Sequence, residues 1–159
     1  MIPELGHFLL WLALGNALVL GTLPLIGATR GRADWMALAR PSASLQFVLI
    51  VASYLCLTAA FVQHDFSVLY VASHSNSALP LPFRIAAVWG GHEGSMLLWM
   101  LMQSAWALAV AIFSRRLPLP VLARILAVMG WLSVGFLLFT LITSNPFDRL
   151  TPVPFEGEE

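Results

Sequence analysis

Four long apolar stretches set the terms for this chain, at residues 7–28, 42–62, 93–113 and 121–143. Each is long enough to cross the hydrocarbon core of a bilayer, which takes about 20 residues of helix rising about 1.5 Å per residue. In lipid only a helix or a closed barrel satisfies its own backbone groups, so runs of this length and uniformity predict helices. Hydrophobic residues make up 59% of the 159 residues and charged ones only 10%, which leaves a water-soluble globule nowhere to bury its apolar surface. The reading is an all-α membrane protein: a single module over 1–159 with four transmembrane helices and one long loop, 63–92.

Orientation comes from the arginines, since the chain has no lysine. Arg30, Arg32 and Arg40 lie between the first two stretches, and Arg115, Arg116 and Arg124 around the turn between the last two. Only Arg84 and Arg149 fall on the other side, and this bias places the two short connections in the cytoplasm. The N-terminus, the 63–92 loop and the C-terminus are then outside. The leader MIPELGH has no arginine or lysine, and no small-x-small cleavage pattern follows, so the first stretch reads as a retained span rather than a secretory signal. The single cysteine, Cys56, sits in an apolar run and can build neither an internal disulfide nor a Cys-x-x-Cys pair. Zero formal net charge offers no steering toward nucleic acid.

Within the loop, Phe66, Val68 and Tyr70 alternate with Ser67 and Leu69 in a weakly strand-like pattern, SHSNSALPLP supplies turn formers, and RIAAVW reads as a short interfacial piece with Arg84 at the headgroups and Trp89 as an aromatic anchor. A loop this long and this rich in apolar residues is expected to pack on something. The tail, SNPFDRLTPVPFEGEE, turns abruptly to proline, acidic and aromatic residues; it reads as a chain that continues and closes no fold of its own.

Charges near a membrane's midplane usually mark pumps and transporters, and none lies at mid-span here. Asn16, Gln46, Ser53, Thr58, Gln103, Ser104, Ser133 and Thr140 are the polar residues inside the helices, and hydrogen bonding between neighbouring helices accounts for them. His7, His64, His74 and His92 all fall at or beyond span ends on the outer side, with no pair at i, i+3 or i, i+4. The first three read as solvated or interfacial. His92 keeps different company, in WGGHEGSMLLW: Gly90 and Gly91 permit a tight turn and close backbone approach, and Glu93 suits the unpaired N–H groups of a helix start, with Ser95 in the same turn. Trp99 and Trp106, seven apart, share one helix face where indoles can wall a planar ligand.

WGGHEGSMLLW, from Trp89 to Trp99, resembles the W-G-x-H-E-G-S-x-x-L-W segment of the CcmF family, haem-handling membrane proteins of cytochrome c maturation. The likeness extends upstream through DFSVLYVASHSNSALPLPFRIAAVWG and downstream through AVAIFSRRLPL, ARILAVMG and SVGFLLFTLITSNPF, in order and over essentially the whole chain. The matched positions are Trp89, Gly90, His92, Glu93, Gly94, Ser95 and Trp99. The resemblance implies a multi-pass protein of the bacterial inner membrane with a periplasmic N-terminus, in agreement with the arginine bias. It also implies a part in the haem lyase that joins haem to the Cys-x-x-Cys-His motif of apocytochrome c, with a CcmE-like haem chaperone and a CcmH-like apocytochrome-presenting protein as partners.

Members of the family are several times longer, and their tryptophan-rich segment and haem-ligating histidines lie beyond the stretch represented here. The chain therefore reads as an N-terminal fragment or one piece of a split gene, with haem in the full-length protein and none ligated by these residues. No residue is put forward as catalytic or as a metal ligand. Trp89, His92, Glu93 and Trp99 are the candidates for a place near the path of haem or apocytochrome. The rival readings are a structural, partner-docking scaffold and a small transporter subunit, the latter requiring polar residues of all four spans to converge.

Overall fold

The computed structural model describes residues 1–157 and is helical nearly throughout, in the order α1 (Ile2–Arg30), α2 (Ala33–Met36), α3 (Ala39–Val62), α4 (Leu69–His74), α5 (Leu81–Ala87), α6 (His92–Phe113) and α7 (Leu119–Thr143). Four helices are long and apolar enough to cross a membrane, and they fall on the four apolar stretches of the sequence. Each begins before its apolar run does. In α1 and α7 a proline occupies the first turn, where its missing N–H costs nothing, so the helix starts upstream of the apolar residues. The end of α1 is set by Gly31, whose φ of 68° is left-handed, while the Arg32 N–H reaches back to the Gly27 carbonyl at 2.9 Å.

The long helices run antiparallel in a ring. α1 packs on both α3 and α7, α3 packs on α6, and α6 and α7 meet along the least tightly packed seam. The α1–α7 crossing is closed by glycine on both sides: a Cβ on Gly130 would meet the Gly21 nitrogen at 2.8 Å, and one on Gly21 would meet the Trp131 indole at 3.1 Å. Helices in lipid gain little from the hydrophobic effect on associating and rely on close contact between small residues; the buried Ala13, Ala17, Ala123 and Ala127 continue the same surface.

Most polar side chains inside the helices bond across or within separate seams, although Gln46 Nε2 is buried without a partner among the described residues. Asn16 Nδ2 donates to Gln46 Oε1 at 2.8 Å and to the Ser42 carbonyl at 2.9 Å, joining α1 to α3, where Ser53 Oγ also donates to the Gly6 carbonyl at 3.0 Å. Between α6 and α7, Ser133 Oγ donates to Gln103 Oε1 at 2.7 Å and Gln103 Nε2 to the Met129 carbonyl at 2.9 Å. Thr58 and Ser104 donate to carbonyls of their own helices instead. These groups do not converge on one path.

Two sequence expectations change at the end of the bundle that carries the N-terminus and residues 63–92. The strand-like alternation at 66–70 gives way to helix from Leu69, leaving one antiparallel bridge, Val68 with Arg149, because the tail pairs at that point alone. The tail itself closes the fold. Phe147 is 5% exposed, with its ring against Gly6 where a methyl would have no room; the Leu69 N–H donates to the Asp148 carbonyl, and the Leu150 N–H to that of Ser67, both at 2.8 Å. Arg149 pairs with Glu4, contacts the Ser67 hydroxyl and lies 3.5 Å from Asp65. The aromatic and charged residues of this segment thus act as a clasp across the loop.

Replacing Gly130 by Leu should push α1 from α7 and lower stability by about 1–3 kcal/mol, the usual cost of overpacking. Gly15→Leu, at a position where a Cβ would meet nothing within 4 Å, should leave the midpoint of thermal unfolding in detergent almost unchanged.

Candidate functional site

The turn into α6 is built around a buried tyrosine. Gly91 caps the helix in an extended conformation, His92 is its first residue and Glu93 lies in the first turn, as the acidic helix start in the sequence predicts. Above the turn sits Tyr70 of α4, 3% exposed: its hydroxyl donates to the Val88 carbonyl at 3.0 Å and accepts the Gly91 N–H at 2.9 Å. Burial raises the Tyr70 hydroxyl above its ordinary range, so it stays protonated and able to donate. Ser95 Oγ closes the turn from the other side by donating to the Trp89 carbonyl at 2.8 Å.

This geometry explains two of the glycines. A Cβ on Gly91 would strike the Tyr70 ring at 2.7 Å and the His74 imidazole, and one on Gly94 would strike the Tyr70 hydroxyl at 2.6 Å and the Val88 carbonyl. Neither glycine adopts positive φ. Close approach of the His74 and Tyr70 rings and of the Val88 carbonyl, rather than a positive φ, is what excludes a side chain at these positions.

The four histidines gather at this end of the bundle but are held singly. His7 Nε2 accepts from Trp11 Nε1 at 2.9 Å, and its Nδ1 lies 3.1 Å from the Asn145 amide nitrogen. His64 takes a left-handed φ of 55° after α3, with a buried Nδ1 and its ring tilted against Phe66 at 5.8 Å. His74, half-buried, packs on Tyr70 with ring centroids 4.5 Å apart. His92 sets Nδ1 3.0 Å from Ser144 Oγ at the end of α7 and its ring edge-on to Phe139 at 5.9 Å.

Of the four candidates read from the sequence, two share a surface. His92 lines a cavity of about 550 Å³ on the α6–α7 seam, together with Met96, Leu132, Gly135, Phe136 and Phe139. Trp99 lines its neighbour of about 470 Å³, which includes Trp106 and shares Phe136. Trp89 and Glu93 border neither cavity. Sequence reasoning passed over Tyr70, Ser144 and Phe136. The one available signal was that Tyr70, one of only two tyrosines, stands in a loop otherwise rich in serine.

Against known proteins, no family model matches the chain. It is 59% identical over its whole length to the cytochrome c-type biogenesis protein CcmF of Pseudomonas aeruginosa, covering 24% of that protein, and 56% identical to the CcmF of Escherichia coli, covering 25%. Among solved structures it matches a cytochrome c heme lyase CcmF with a TM-score of 0.88 at 29% identity, over 96% of this chain and 26% of that one.

The chain matches the N-terminal quarter of the CcmF family.

It thus spans about a quarter of the length of the CcmF proteins it resembles, and with four apolar helices it is a multi-pass membrane protein. Among the described residues, no three of the His, Cys, Asp and Glu side chains group so as to hold a metal ion. Of the four imidazoles, His92 borders the seam cavity and His7 the cavity near Phe147.

Tyr70→Phe should strip partners from the Gly91 N–H and the Val88 carbonyl and cost about 1–3 kcal/mol, measured by unfolding in detergent. At the tail, Glu156 accepts from Ser77 Oγ at 2.7 Å and from the Ser77 N–H at 2.6 Å, the hydroxyl being the main cause that lowers its carboxyl below the ordinary 4.5. A depressed carboxyl pKa means the contact is intact above 4.5 and lost as pH falls through the lower, folded value. The Ser77 amide resonance should therefore titrate with a midpoint below 4.5.

Proposed function

We propose that this chain supplies the N-terminal four helices of a haem lyase that attaches haem to apocytochrome c in the bacterial inner membrane. The observation that carries this reading is agreement over the whole chain at two levels, 59% sequence identity to one CcmF protein and a TM-score of 0.88 to a heme lyase CcmF. In this arrangement the N-terminus, residues 63–92 and the tail face the periplasm. The six arginines at the opposite end of the helices support that orientation.

Haem and apocytochrome are the substrates of the complete complex, delivered by CcmE-like and CcmH-like partners, and ligation and bond formation belong to residues outside this quarter. What these residues contribute is position. Tyr70 fixes the entry to α6, Ser144 orients His92, and the clasp of Phe147 and Arg149 holds the loop over the bundle. His92 and Trp99, on one seam, lie nearest the path of haem or apocytochrome; Trp89 and Glu93 brace the turn.

A second reading, a docking scaffold for partner proteins, is favoured by one observation: Trp89 is 44% exposed at the tip of the turn, where an aromatic residue can anchor a partner. The two are separable. A chimaera in which this chain replaces the N-terminal quarter of the Pseudomonas aeruginosa relative should restore covalent haem on cytochrome c in a strain lacking its own CcmF, read by haem-stained gels. A chimaera that inserts stably and restores none would sink the proposal. Trp89→Ala should reduce pull-down of CcmE-like or CcmH-like proteins if docking is the role, while His92→Ala should lower holocytochrome yield about tenfold with the partners still bound, the effect of losing roughly 1.4 kcal/mol.

A further inference from the structure

The short helix α5 wears its polarity inside out. Every residue in it is exposed or half-buried, and Leu81, Phe83, Ile85 and, just past its end, Trp89 are all exposed. Leu81, Ile85 and Trp89 follow one another at intervals of four and so share a face. The one polar side chain in the helix, Arg84, is half-buried and turned to the protein. Its Nε and Nη2 donate to the Leu79 carbonyl at 3.1 and 2.9 Å, and its Nη1 to the Val62 carbonyl at 3.1 Å. A helix on the surface of a water-soluble protein has the opposite pattern, with charge outward and apolar residues inward.

Both ends of α5 fix its height against the membrane. Val62, whose carbonyl Arg84 holds, is the last residue of α3. From Arg40, in the first turn of α3, to Gln63 just past its end the sequence carries no charge, and that is about 34 Å of helix against roughly 30 Å of hydrocarbon core. Val62 therefore stands at the surface of the core, with Gln63, His64 and Asp65 directly beyond it. After α5, the Val88 carbonyl accepts from the Tyr70 hydroxyl, which also takes the Gly91 N–H at the cap of α6. The helix is thus held between the end of one span and the start of the next, where acyl chains meet headgroups.

Its apolar face also continues the exposed surface of α3. Leu45, Val48, Leu55 and Val62 form an apolar column along that helix, and α5 packs on α3 with its arginine at the column's end. Interfaces between proteins surround an apolar centre with a polar rim, whereas the residues flanking this face are Pro82 and Ala86. A tryptophan at such a height is a common membrane anchor.

We propose that α5 is an interfacial anchor, with Leu81, Ile85 and Trp89 set against the acyl chains at the membrane surface, and that it fixes the height of the turn into α6. The inference needs the four helices to cross a membrane but is independent of the haem-lyase reading, and its readout involves no haem.

Nitroxide depth measurement tests it, in the chimaera reconstituted in lipid vesicles with every other cysteine replaced. The label goes on Leu81→Cys or Ile85→Cys, with Leu55→Cys on the exposed column of α3 and Arg116→Cys in the connection between α6 and α7 as references. Oxygen concentrates among acyl chains, and a nickel chelate stays in water. At Leu81 and Ile85 the ratio of oxygen to nickel collisions should be several times that at Arg116, matching the depth of about 5–10 Å at which interfacial helices rest. Ile85→Asp should bring the ratio at Leu81 down to the Arg116 value, while the Leu55 label stays closed to nickel and so reports intact insertion. Nickel-dominated collisions at Leu81 and Ile85 would put α5 in water, and shielding from both reagents would put it against protein. Either result overturns the proposal, as does an Ile85→Asp variant whose ratio at Leu81 is unchanged.

Discussion

Contact between the backbones of α1 and α7, at Gly21 and Gly130, is the constraint on which the rest of the molecule depends. It sets the first and last long helices side by side and so closes the ring. Helix association in lipid rests on packing and hydrogen bonds, since the surroundings are as apolar as the side chains. Once the two helices touch, the N-terminal turn and the tail share one end of the bundle, and Phe147 finds Gly6 within reach. The buried cluster at that end draws on α1, α3, α6, α7, the 63–92 segment and the tail together.

Polar groups follow the same economy of partners. Asn16 with Gln46, and Gln103 with Ser133, bond across separate pairs of neighbouring helices and form no single polar column among the described residues. At the bundle's end, Tyr70 serves a backbone donor and a backbone acceptor at once, in a place where water is largely excluded. An unmet donor or acceptor there is costly, so this one hydroxyl fixes how the chain enters α6.

Much of this was legible before the structure. The four long helices were written in long, predominantly apolar runs, and the start of α6 in Gly91, His92 and Glu93, because helix ends are local chemistry. What the sequence concealed were contacts between distant segments. Nothing around Tyr70 announces that its hydroxyl meets Val88 and Gly91, and the alternation at 66–70 misled because a strand exists only if another pairs with it. The tail looked idle for the same reason: the value of Phe147 depends on Gly6, at the far end of the chain. The cavity that Trp99 borders, with Met129 and Phe136 of α7, emerged only from the packing of α6 on α7.

Arg149 carries a consequence for how the protein is made. Its carboxylate partner Glu4 lies 145 positions away, and Asp65 belongs to a segment that leaves the ribosome long before Arg149 does. Until Arg149 emerges, neither acid has this partner. The cluster can assemble only after all four long helices have been synthesised, so it secures their arrangement without guiding the entry of the first three.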